Sequence, residues 1–175
     1  MRKLMLLRHA KSEWSQPGKP DRDRALVQHG RAAAPTIGAF MARHALLPDL
    51  ALCSTAKRAR DTWGLVAKAF PNPPPARFEE RLYGAGPDTL LDVLRETGCD
   101  AHSLLVIGHN PGLQDFAVKL IASGDIAERE QLREKLPTAG LVVIDFPLDD
   151  WGKLHPHAGR LDRFVTPRSL AAATD

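Results

Sequence analysis

Lys3-Leu4-Met5-Leu6-Leu7-Arg8-His9-Ala10-Lys11-Ser12 is the stretch that decides the fold, because an apolar run ends there in an Arg-His pair. Four consecutive apolar residues bounded by charged ones predict a short strand that is buried on both faces of a parallel sheet. Arg8 and His9 then lie at the carboxyl end of that strand, where open α/β sheets place their ligands. A guanidinium beside an imidazole suits an anion, phosphate above all.

A second strand followed by a histidine stands in Ser103-Leu104-Leu105-Val106-Ile107-Gly108-His109-Asn110-Pro111-Gly112. Asn110, with Pro111 in the first turn, predicts that a helix begins directly after this strand. Two parallel strands that lie side by side bring their carboxyl ends together. The pattern therefore predicts that His9 and His109 face one ligand.

A third strand, Leu50-Ala51-Leu52-Cys53, is followed by Ser54, which we expect to be the N-cap of a helix. Arg58 falls in the opening turns of that helix, and Thr62 lies four residues on, on the same face. The unpaired N–H groups of helix starts would add positive dipole ends to the same region. These features predict an anion site that needs no metal.

Four motifs in order resemble those of a known family: Leu7 to Ser12, Ser54-x-Ala56-x-Arg58-Ala59-x-x-Thr62, Glu80-x-Leu82-Tyr83, and Gly108-His109-Asn110-Pro111-Gly112. They are similar to the histidine phosphatase superfamily, in particular to its small bacterial branch of SixA-type phosphohistidine phosphatases. The likeness runs from residue 3 to about residue 146. Many members of the wider superfamily have Gly-Glu where this chain has Ala10-Lys11, and the small branch shares the Ala-Lys form.

A further stretch, Asp23-Arg24-x-Leu26 with Gly30, is also similar to that branch. The branch usually has Pro-Leu-Thr where this chain has Ala25-Leu26-Val27. The resemblance implies a phosphoglycerate mutase-like α/β fold with minimal insertions. It also implies that His9 is the nucleophile, that Arg8, Arg58 and His109 stabilise the phosphoryl group, and that Ser12 contributes to substrate binding.

Glu80 matches the position at which related mutases have the carboxylic acid that protonates a departing alkoxide. That role requires a raised pKa. Two adjacent glutamates on a loop, Glu79 and Glu80, are equally consistent with solvated carboxylates. Both interpretations of Glu80 stay open at this point.

The chemistry of phosphoryl transfer fits these residue types. Its transition state spreads charge over three equatorial oxygens, so catalysis is mostly positioning and electrostatic stabilisation by groups such as Arg8, Arg58 and His109. A histidine attacks phosphorus only through an unprotonated nitrogen. We therefore expect the other nitrogen of His9 to donate to a fixed acceptor, most simply a backbone carbonyl, with the nearby cations opposing protonation.

The short spacings from Thr62 to Glu80 and from Glu80 to His109 leave little chain for a helical lid, so we expect an open site. An open site favours a phosphate displayed on a protein or a bulky molecule. The prediction is a metal-independent phosphohistidine phosphatase with no cofactor. Two alternatives remain: a small-molecule phosphomonoesterase or mutase of the same superfamily, and a catalytically silent phosphopeptide-binding module.

The composition of the chain argues against nucleic-acid and membrane partners. The 24 basic and 21 acidic residues give a net charge of only +3, and no basic stripe with interleaved aromatics indicates nucleic-acid binding. No apolar segment approaches the about 18 residues of a membrane span, so we expect a cytoplasmic enzyme without membrane contact. Cys53 and Cys99 have no CxxC or zinc spacing and are expected to be reduced and packed.

Apolar strands alternate with Ala-rich helical stretches, which predicts a three-layer sandwich with a mostly parallel central sheet flanked by helices. The predicted strands are 3–8, 49–53, 103–108 and 139–146, with a short edge strand around Arg77 and Phe78; the predicted helices are 27–45, 55–70, 88–97 and 111–123. Asp149-Asp150-Trp151-Gly152 is expected to form a hairpin turn into a final strand through Leu154. The predicted domain covers residues 1–158, followed by a tail, 159–175, packed at its start and frayed at its end.

Overall fold

The structure, a computed structural model, describes residues 1–98 and 100–173. A seven-stranded sheet forms its centre, in the order β3-β2-β4-β1-β6-β7-β5. The strands are β1 (Arg2–Arg8), β2 (Leu50–Ser54), β3 (Ala76–Glu79), β4 (Ser103–Gly108), β5 (Ile121–Gly124), β6 (Leu141–Phe146) and β7 (Gly159–Val165). Four of the six pairings are parallel, and β6 is antiparallel to both β1 and β7. The predicted mostly parallel sheet is confirmed.

Strands β1 and β4 are neighbours in register, with Arg8 opposite Gly108. Strand β2 pairs with the other side of β4, with Cys53 opposite Ile107. The carboxyl ends of these three strands therefore lie side by side at one edge of the sheet. The residues that follow each strand meet there.

In the described part of the chain, six helices cover the sheet: α1 (Gln28–Arg43), α2 (Lys57–Ala67), α3 (Pro87–Arg95), α4 (Gly112–Leu120), α5 (Ile126–Glu134) and α6 (Pro167–Ala173). The side chains of β1 alternate between two cores. Leu4 and Leu6 pack in the core that includes α3 and α4, whereas Met5 and Leu7 pack in the core that includes α1 and α2. These two cores make the three-layer sandwich that the apolar run predicts.

Two glycines allow helices to approach the loops beside the strand ends. A Cβ added to Gly30 of α1 would lie 2.2 Å from the carbonyl oxygen of Lys11, and one added to Gly112 of α4 would lie 1.8 Å from that of Ala85. Both distances are far inside van der Waals contact. Each helix therefore packs directly on backbone next to the sheet edge described above.

Three sequence predictions are wrong in the second half of the chain. Helix α4 ends at Leu120, and residues 121–124 form β5 instead of the end of the helix. The expected hairpin turn is a 3₁₀ turn, Trp151–Lys153, in which the buried Trp151 donates a 2.7 Å hydrogen bond to the carbonyl of Ala101. The final strand is β7, not a strand through Leu154.

The predicted domain boundary at residue 158 also needs correction. Strand β7 lies between β6 and β5 in the sheet, so the segment from 159 is part of the domain and α6 follows it. The strand contains three charged residues, Arg160, Asp162 and Arg163, which conceal its partial alternation between buried and exposed positions. Hydrogen bonds to two neighbouring strands determine its structure.

Cys53 is buried and is not in a disulfide, as expected, whereas Cys99 lies outside the described residues. No helix within residues 1–98 and 100–173 has the length and apolar character that crossing a membrane requires.

Candidate active site

Four predicted site residues meet at the carboxyl edge of the sheet. Arg8 ends β1 and His9 follows it, His109 follows β4, and Arg58 stands in the first turn of α2. The ring centroids of His9 and His109 are 5.2 Å apart. His9, Arg58 and His109 are only 7%, 5% and 9% exposed, so the edge of the sheet holds a buried cluster of basic side chains.

The tautomer of His9 follows from one hydrogen bond. Its Nδ1 lies 2.7 Å from the carbonyl oxygen of Ala10. Because a carbonyl only accepts, Nδ1 must hold the proton and Nε2 has a free lone pair. This is the arrangement that a nucleophilic imidazole requires, and the acceptor is the backbone carbonyl that the sequence argument predicts.

The pKa of the His9 imidazole is lowered from 6.5 to about 3. Burial is the largest cause, the hydrogen bond to Ala10 acts in the opposite direction, and the nearby His109, Arg58 and Arg8 lower the pKa further. The expected effect of the neighbouring cations is present, but burial exceeds it. His9 is therefore neutral throughout the physiological pH range.

Thr62 connects the end of β1 to helix α2. Its hydroxyl accepts a 3.0 Å hydrogen bond from the backbone N–H of Ala10 and donates a 2.7 Å bond to the carbonyl of Arg58. The hydroxyl thus joins the residue after His9 to the residue that bears the second guanidinium. Helical spacing predicts that Thr62 shares a face with Arg58, but not that its hydroxyl positions the His9 loop.

Arg8 and Arg58 each have a buried Nε donor without a hydrogen-bond partner. Arg8 Nη1 donates to the carbonyl of Leu136 at 3.1 Å, and Arg58 donates through Nη1 and Nη2 to the carbonyl and carboxylate of Asp21 at 2.8 and 3.1 Å. Burial also lowers the pKa of Arg8.

His109 supplies a third free atom. Its Nε2 lies 2.7 Å from the hydroxyl of Ser54, and its buried Nδ1 has no partner. Burial, followed by the charge of Arg58, lowers the pKa of His109 to about 4. Within the described ranges, five buried side-chain polar atoms lack a hydrogen-bond partner, and three of them belong to Arg8, Arg58 and His109. Since an unpaired buried group costs about 1–3 kcal/mol, this cluster is suited to bind an anion.

The N-cap role predicted for Ser54 is wrong. Ser54 is the last residue of β2, and α2 begins at Lys57 without a side-chain cap. The Ser54 hydroxyl lies against His109 instead. The local sequence favours an N-cap role for Ser54, whereas the tertiary structure places its hydroxyl against His109, which follows the neighbouring strand β4.

Asp21 and Tyr83 form a cover over Arg58 that the sequence argument misses. The Tyr83 hydroxyl donates to the Asp21 carboxylate, whose pKa is lowered to about 2 by that bond and by Arg58. The Tyr83 ring stands edge-on to His109 at 5.5 Å. The expected open site is therefore wrong at the level of the reacting side chains, because Asp21 and Tyr83, from two separate short turns, cover them where no long lid does. Tyr83 belongs to a motif that the sequence shows, but nothing local marks Asp21.

Glu80 does not have the raised pKa that a general acid requires. Its carboxylate accepts hydrogen bonds from Arg22 and from the hydroxyl of Thr55, the latter at 2.6 Å, and these bonds lower its pKa to about 2. The Glu80 side chain is 62% exposed. In this arrangement Glu80 is an ionised carboxylate that holds Arg22 beside the site.

The structure leaves the expected role of Ser12 untested. Its backbone pairs with that of Leu26, and the residue is partly exposed. After His109, the Asn110 side chain accepts a 3.2 Å hydrogen bond from the N–H of Gln114 in the first turn of α4; the helix begins at Gly112 with Pro111 at the N-cap, one residue later than predicted. A cleft of about 160 Å³ opens beside His109 and is lined by residues 84–87, by residues 109–112 and by Asp115.

Across the described residues, no three His, Cys, Asp or Glu side chains are grouped so that they could hold a metal ion. The charges of the Arg58 and Arg8 guanidinium groups are close enough to His9 to lower its pKa. What the arrangement can do chemically is to bind a tetrahedral anion in front of an unprotonated imidazole.

Comparison with known proteins agrees with this geometry. Residues 4–86 match the family described as histidine phosphatase superfamily (branch 1). An uncharacterized protein of Mycobacterium tuberculosis is 36% identical over 167 residues, which cover 93% of this chain and 100% of that protein.

Two solved structures are similar over almost their whole length. One, from Agrobacterium tumefaciens and provisionally identified as the phosphohistidine phosphatase SixA, is 30% identical with a TM-score of 0.77 and covers 95% of this chain and 98% of its own. The other, from Nakamurella multipartitia with the same provisional identification, is 26% identical with a TM-score of 0.83 and covers 95% and 96%.

Proposed function

This chain belongs to the SixA-type branch of the histidine phosphatase superfamily and is a phosphatase, and from that premise we propose that it hydrolyses phosphohistidine displayed on a protein. In the proposed reaction His9 is the nucleophile, Arg8, Arg58 and His109 bind the phosphoryl oxygens, and no metal takes part. The similarity to structures identified as phosphohistidine phosphatases supports the substrate class.

One observation carries the mechanism: Nδ1 of His9 donates to the Ala10 carbonyl, so Nε2 is free to attack beside the unpartnered Nε donors of Arg8 and Arg58 and the unpartnered Nδ1 of His109. In the first step, the P–N bond of the substrate breaks and a P–N bond to Nε2 of His9 forms. The substrate imidazole carries a proton on its other nitrogen, so it departs as neutral imidazole. In the second step, water attacks phosphorus and loses a proton to solvent, the P–N bond to Nε2 breaks, phosphate leaves, and neutral His9 is regenerated.

The protonation state of Glu80 supports a substrate with a good leaving group. An alkoxide needs a proton donor as it departs, and Glu80 is ionised. An imidazole, whose conjugate acid has a pKa near 6.5, leaves without such help. Transfer from one imidazole to another is also close to energetically neutral, so phosphohistidine places the smallest demand on this set of side chains.

A rapid-quench experiment tests the covalent step. Incubation with ³²P-labelled phosphohistidine protein should give an enzyme-bound label that is stable in base and labile in acid, and the label should be absent from His9→Ala. Direct transfer of phosphate to water, with inversion at phosphorus and no bound label, would show that the mechanism is wrong.

A substrate panel separates the proposed function from its alternatives. Phosphohistidine proteins, phosphoserine peptides and sugar phosphates should be hydrolysed with kcat/KM values that decrease in that order. A preference for sugar phosphates would indicate a small-molecule phosphatase or mutase. Tight binding of phosphopeptides without turnover of any substrate would indicate a silent binding module.

A further inference from the structure

A groove runs along the outer surface of helix α2, and its lining includes none of the side chains Arg8, His9, Arg58 and His109. Its volume is about 440 Å³, which is in the range that accommodates a ligand the size of a short peptide segment. The groove is lined by residues of the loop before α1, the start of α1, and one face of α2: Ala25, Leu26, Arg31, Lys57, Arg60, Asp61, Gly64, Leu65 and Lys68. We call it the α2 groove.

The α2 groove concentrates positive charge. Four of its lining residues are cationic and one is acidic, a net charge of +3 that equals the net charge of the whole chain. Asp61 lies 3.0 Å from Lys57 and leaves the other three cations without a carboxylate in the groove. Arg31, Arg60 and Lys68 are all exposed. The surface therefore attracts anions locally although the chain as a whole is nearly balanced.

One end of the α2 groove adjoins Arg58 of the active site. Lys57 and Arg60 flank Arg58 in the first turn of α2, and Arg60 Nε donates a 3.0 Å bond to the carbonyl of Thr55, whose hydroxyl contacts Glu80. From Lys57 to Lys68 the lining residues follow helical spacing along one face. At 1.5 Å per residue, that face extends about 15 Å from the site.

We propose that the α2 groove binds an acidic segment of the phosphoprotein substrate while its phosphohistidine occupies the site at His9. This inference rests on the proposed function and adds to it the chemistry of the partner. Charge complementarity selects the acidic segment, and the position of the groove, adjoining the catalytic arginine on the same helix, makes it part of the substrate path.

The lining favours a polypeptide over a nucleic acid. Ala25, Leu26 and Leu65 form apolar wall between the cations, which suits the mixed surface of a folded or extended protein segment. No residue of the lining is aromatic, so the groove offers no ring on which a base could stack.

Gly64 allows a matched test within the groove. A Cβ added at Gly64 meets nothing within 4 Å, so larger side chains fit without disturbing α2. Replacing a glycine inside a helix favours the helix. Gly64→Glu and Gly64→Lys therefore share every backbone effect and differ only in the charge that they add to the groove.

The substrates are two peptides with a single phosphohistidine, one flanked by glutamates and one by lysines, together with free phosphohistidine. For the wild-type enzyme at low salt, kcat/KM should be about 10-fold higher for the glutamate peptide, and high salt should reduce the difference. Gly64→Glu should lower kcat/KM for the glutamate peptide about 5-fold relative to Gly64→Lys. The two variants should hydrolyse free phosphohistidine equally well.

Equal kcat/KM for the two peptides, or equal values for the two variants on the glutamate peptide, would overturn the proposal. Competition by a single-stranded oligonucleotide of the same charge, as effective as the glutamate peptide, would show a general polyanion surface and would also overturn it. If the enzyme hydrolyses no phosphohistidine at all, the proposed function fails. In that case the binding of the unphosphorylated, fluorescently labelled glutamate peptide to Gly64→Glu and Gly64→Lys tests the groove separately. Weaker binding to Gly64→Glu supports the groove, and equal binding to the two variants contradicts it.

Discussion

At the scale of the single residue, environment determines which groups of the site can donate, accept or attack. Burial and the Ala10 carbonyl leave His9 neutral with an unprotonated Nε2, as the proposed nucleophile requires. Solvent exposure and the hydrogen bonds from Arg22 and Thr55 make Glu80 an ionised carboxylate. The two residues lie in motifs of the same family, yet only one of them has the protonation state that its expected role requires.

Glu80→Gln should have a small effect on catalysis. Because the carboxylate is already ionised, the change removes no proton donor, and we expect kcat/KM to fall less than about 5-fold on both phosphohistidine and an alkyl phosphate ester. Steady-state kinetics on the two substrates measures this. Arg58→Ala, which removes a phosphate ligand shared by both, should lower both strongly. A loss of about 10²-fold confined to the ester would restore the general-acid role of Glu80.

Thr62→Val should damage catalysis through His9. Valine preserves the shape of the side chain but leaves the backbone N–H of Ala10 without its acceptor and frees the residue that holds Nδ1 of His9. An unpaired buried donor costs about 1–3 kcal/mol of unfolding free energy. We expect that loss in urea denaturation, with a fall in kcat that exceeds any change in KM. Thr62→Ser, which keeps the hydroxyl, is the control and should retain most of the activity.

At the scale of the element, the position of the site depends on how closely α1 and α4 pack on loops at the edge of the sheet. The close approach at Gly30 places α1 against the backbone of Lys11, two residues after His9. Strand order brings the strand ends together, and this helix contact then holds the loop that follows β1. Stability and site geometry are therefore linked at a single glycine.

Gly30→Ala should destabilise the protein, although alanine has the better helix propensity. The new Cβ would lie 2.2 Å from the Lys11 carbonyl oxygen, so α1 or the loop must move, at a cost of about 1–3 kcal/mol. Gly64→Ala is the matched control, since a Cβ there meets nothing within 4 Å and should stabilise α2 by about 0.5–1 kcal/mol. Urea denaturation of both variants measures the difference. Equal effects of the two substitutions would contradict the packing argument.

At the scale of the whole molecule, the buried cluster makes the stability of the protein dependent on pH. The folded-state pKa values of His9 and His109 are about 3 and about 4, below the 6.5 of an unfolded chain. Between these values the unfolded state binds more protons than the folded state. Stability therefore increases with pH across this window and is lost on acidification.

The free energy of unfolding should fall by about 3 kcal/mol between pH 7.5 and pH 5.5, and urea denaturation at the two values measures it. The carboxylates whose pKa is lowered to about 2, Asp21 and Glu80, also lose their contribution in acid, but only from their ordinary values near 4 downward. The double change His9→Asn and His109→Asn should flatten the slope above pH 5. An unchanged slope would mean that these imidazoles are not the source.

Activity should survive chelation by EDTA. The positive charge that the phosphoryl oxygens need comes from Arg8 and Arg58, with His109 beside them, so the proposed reaction has no step for a metal ion. Phosphate release before and after dialysis against EDTA measures this, and vanadate should inhibit because it imitates the five-coordinate transition state. Loss of activity that a divalent ion restores would contradict the proposed mechanism.

The sequence by itself determines the positions of Arg8, His9 and His109. A continuous apolar run buries a strand on both faces, so the next residues must emerge at its carboxyl end, and parallel neighbours bring such ends together. The helical spacing of Arg58 and Thr62 is equally local. For these residues short-range pattern and long-range structure agree, which is why their convergence could be predicted.

Only the tertiary structure decides the partners of the remaining groups. Asp21 covers Arg58, and Ser54 bonds to His109 instead of capping a helix. Hydrogen bonds from Arg22 keep the Glu80 carboxylate ionised, and β7 joins the sheet despite its charged residues. In each case the deciding neighbour is distant in the sequence. Protonation states and hydrogen-bond partners depend on burial and on the nearest charge in space, and neither quantity is encoded in spacing along the chain.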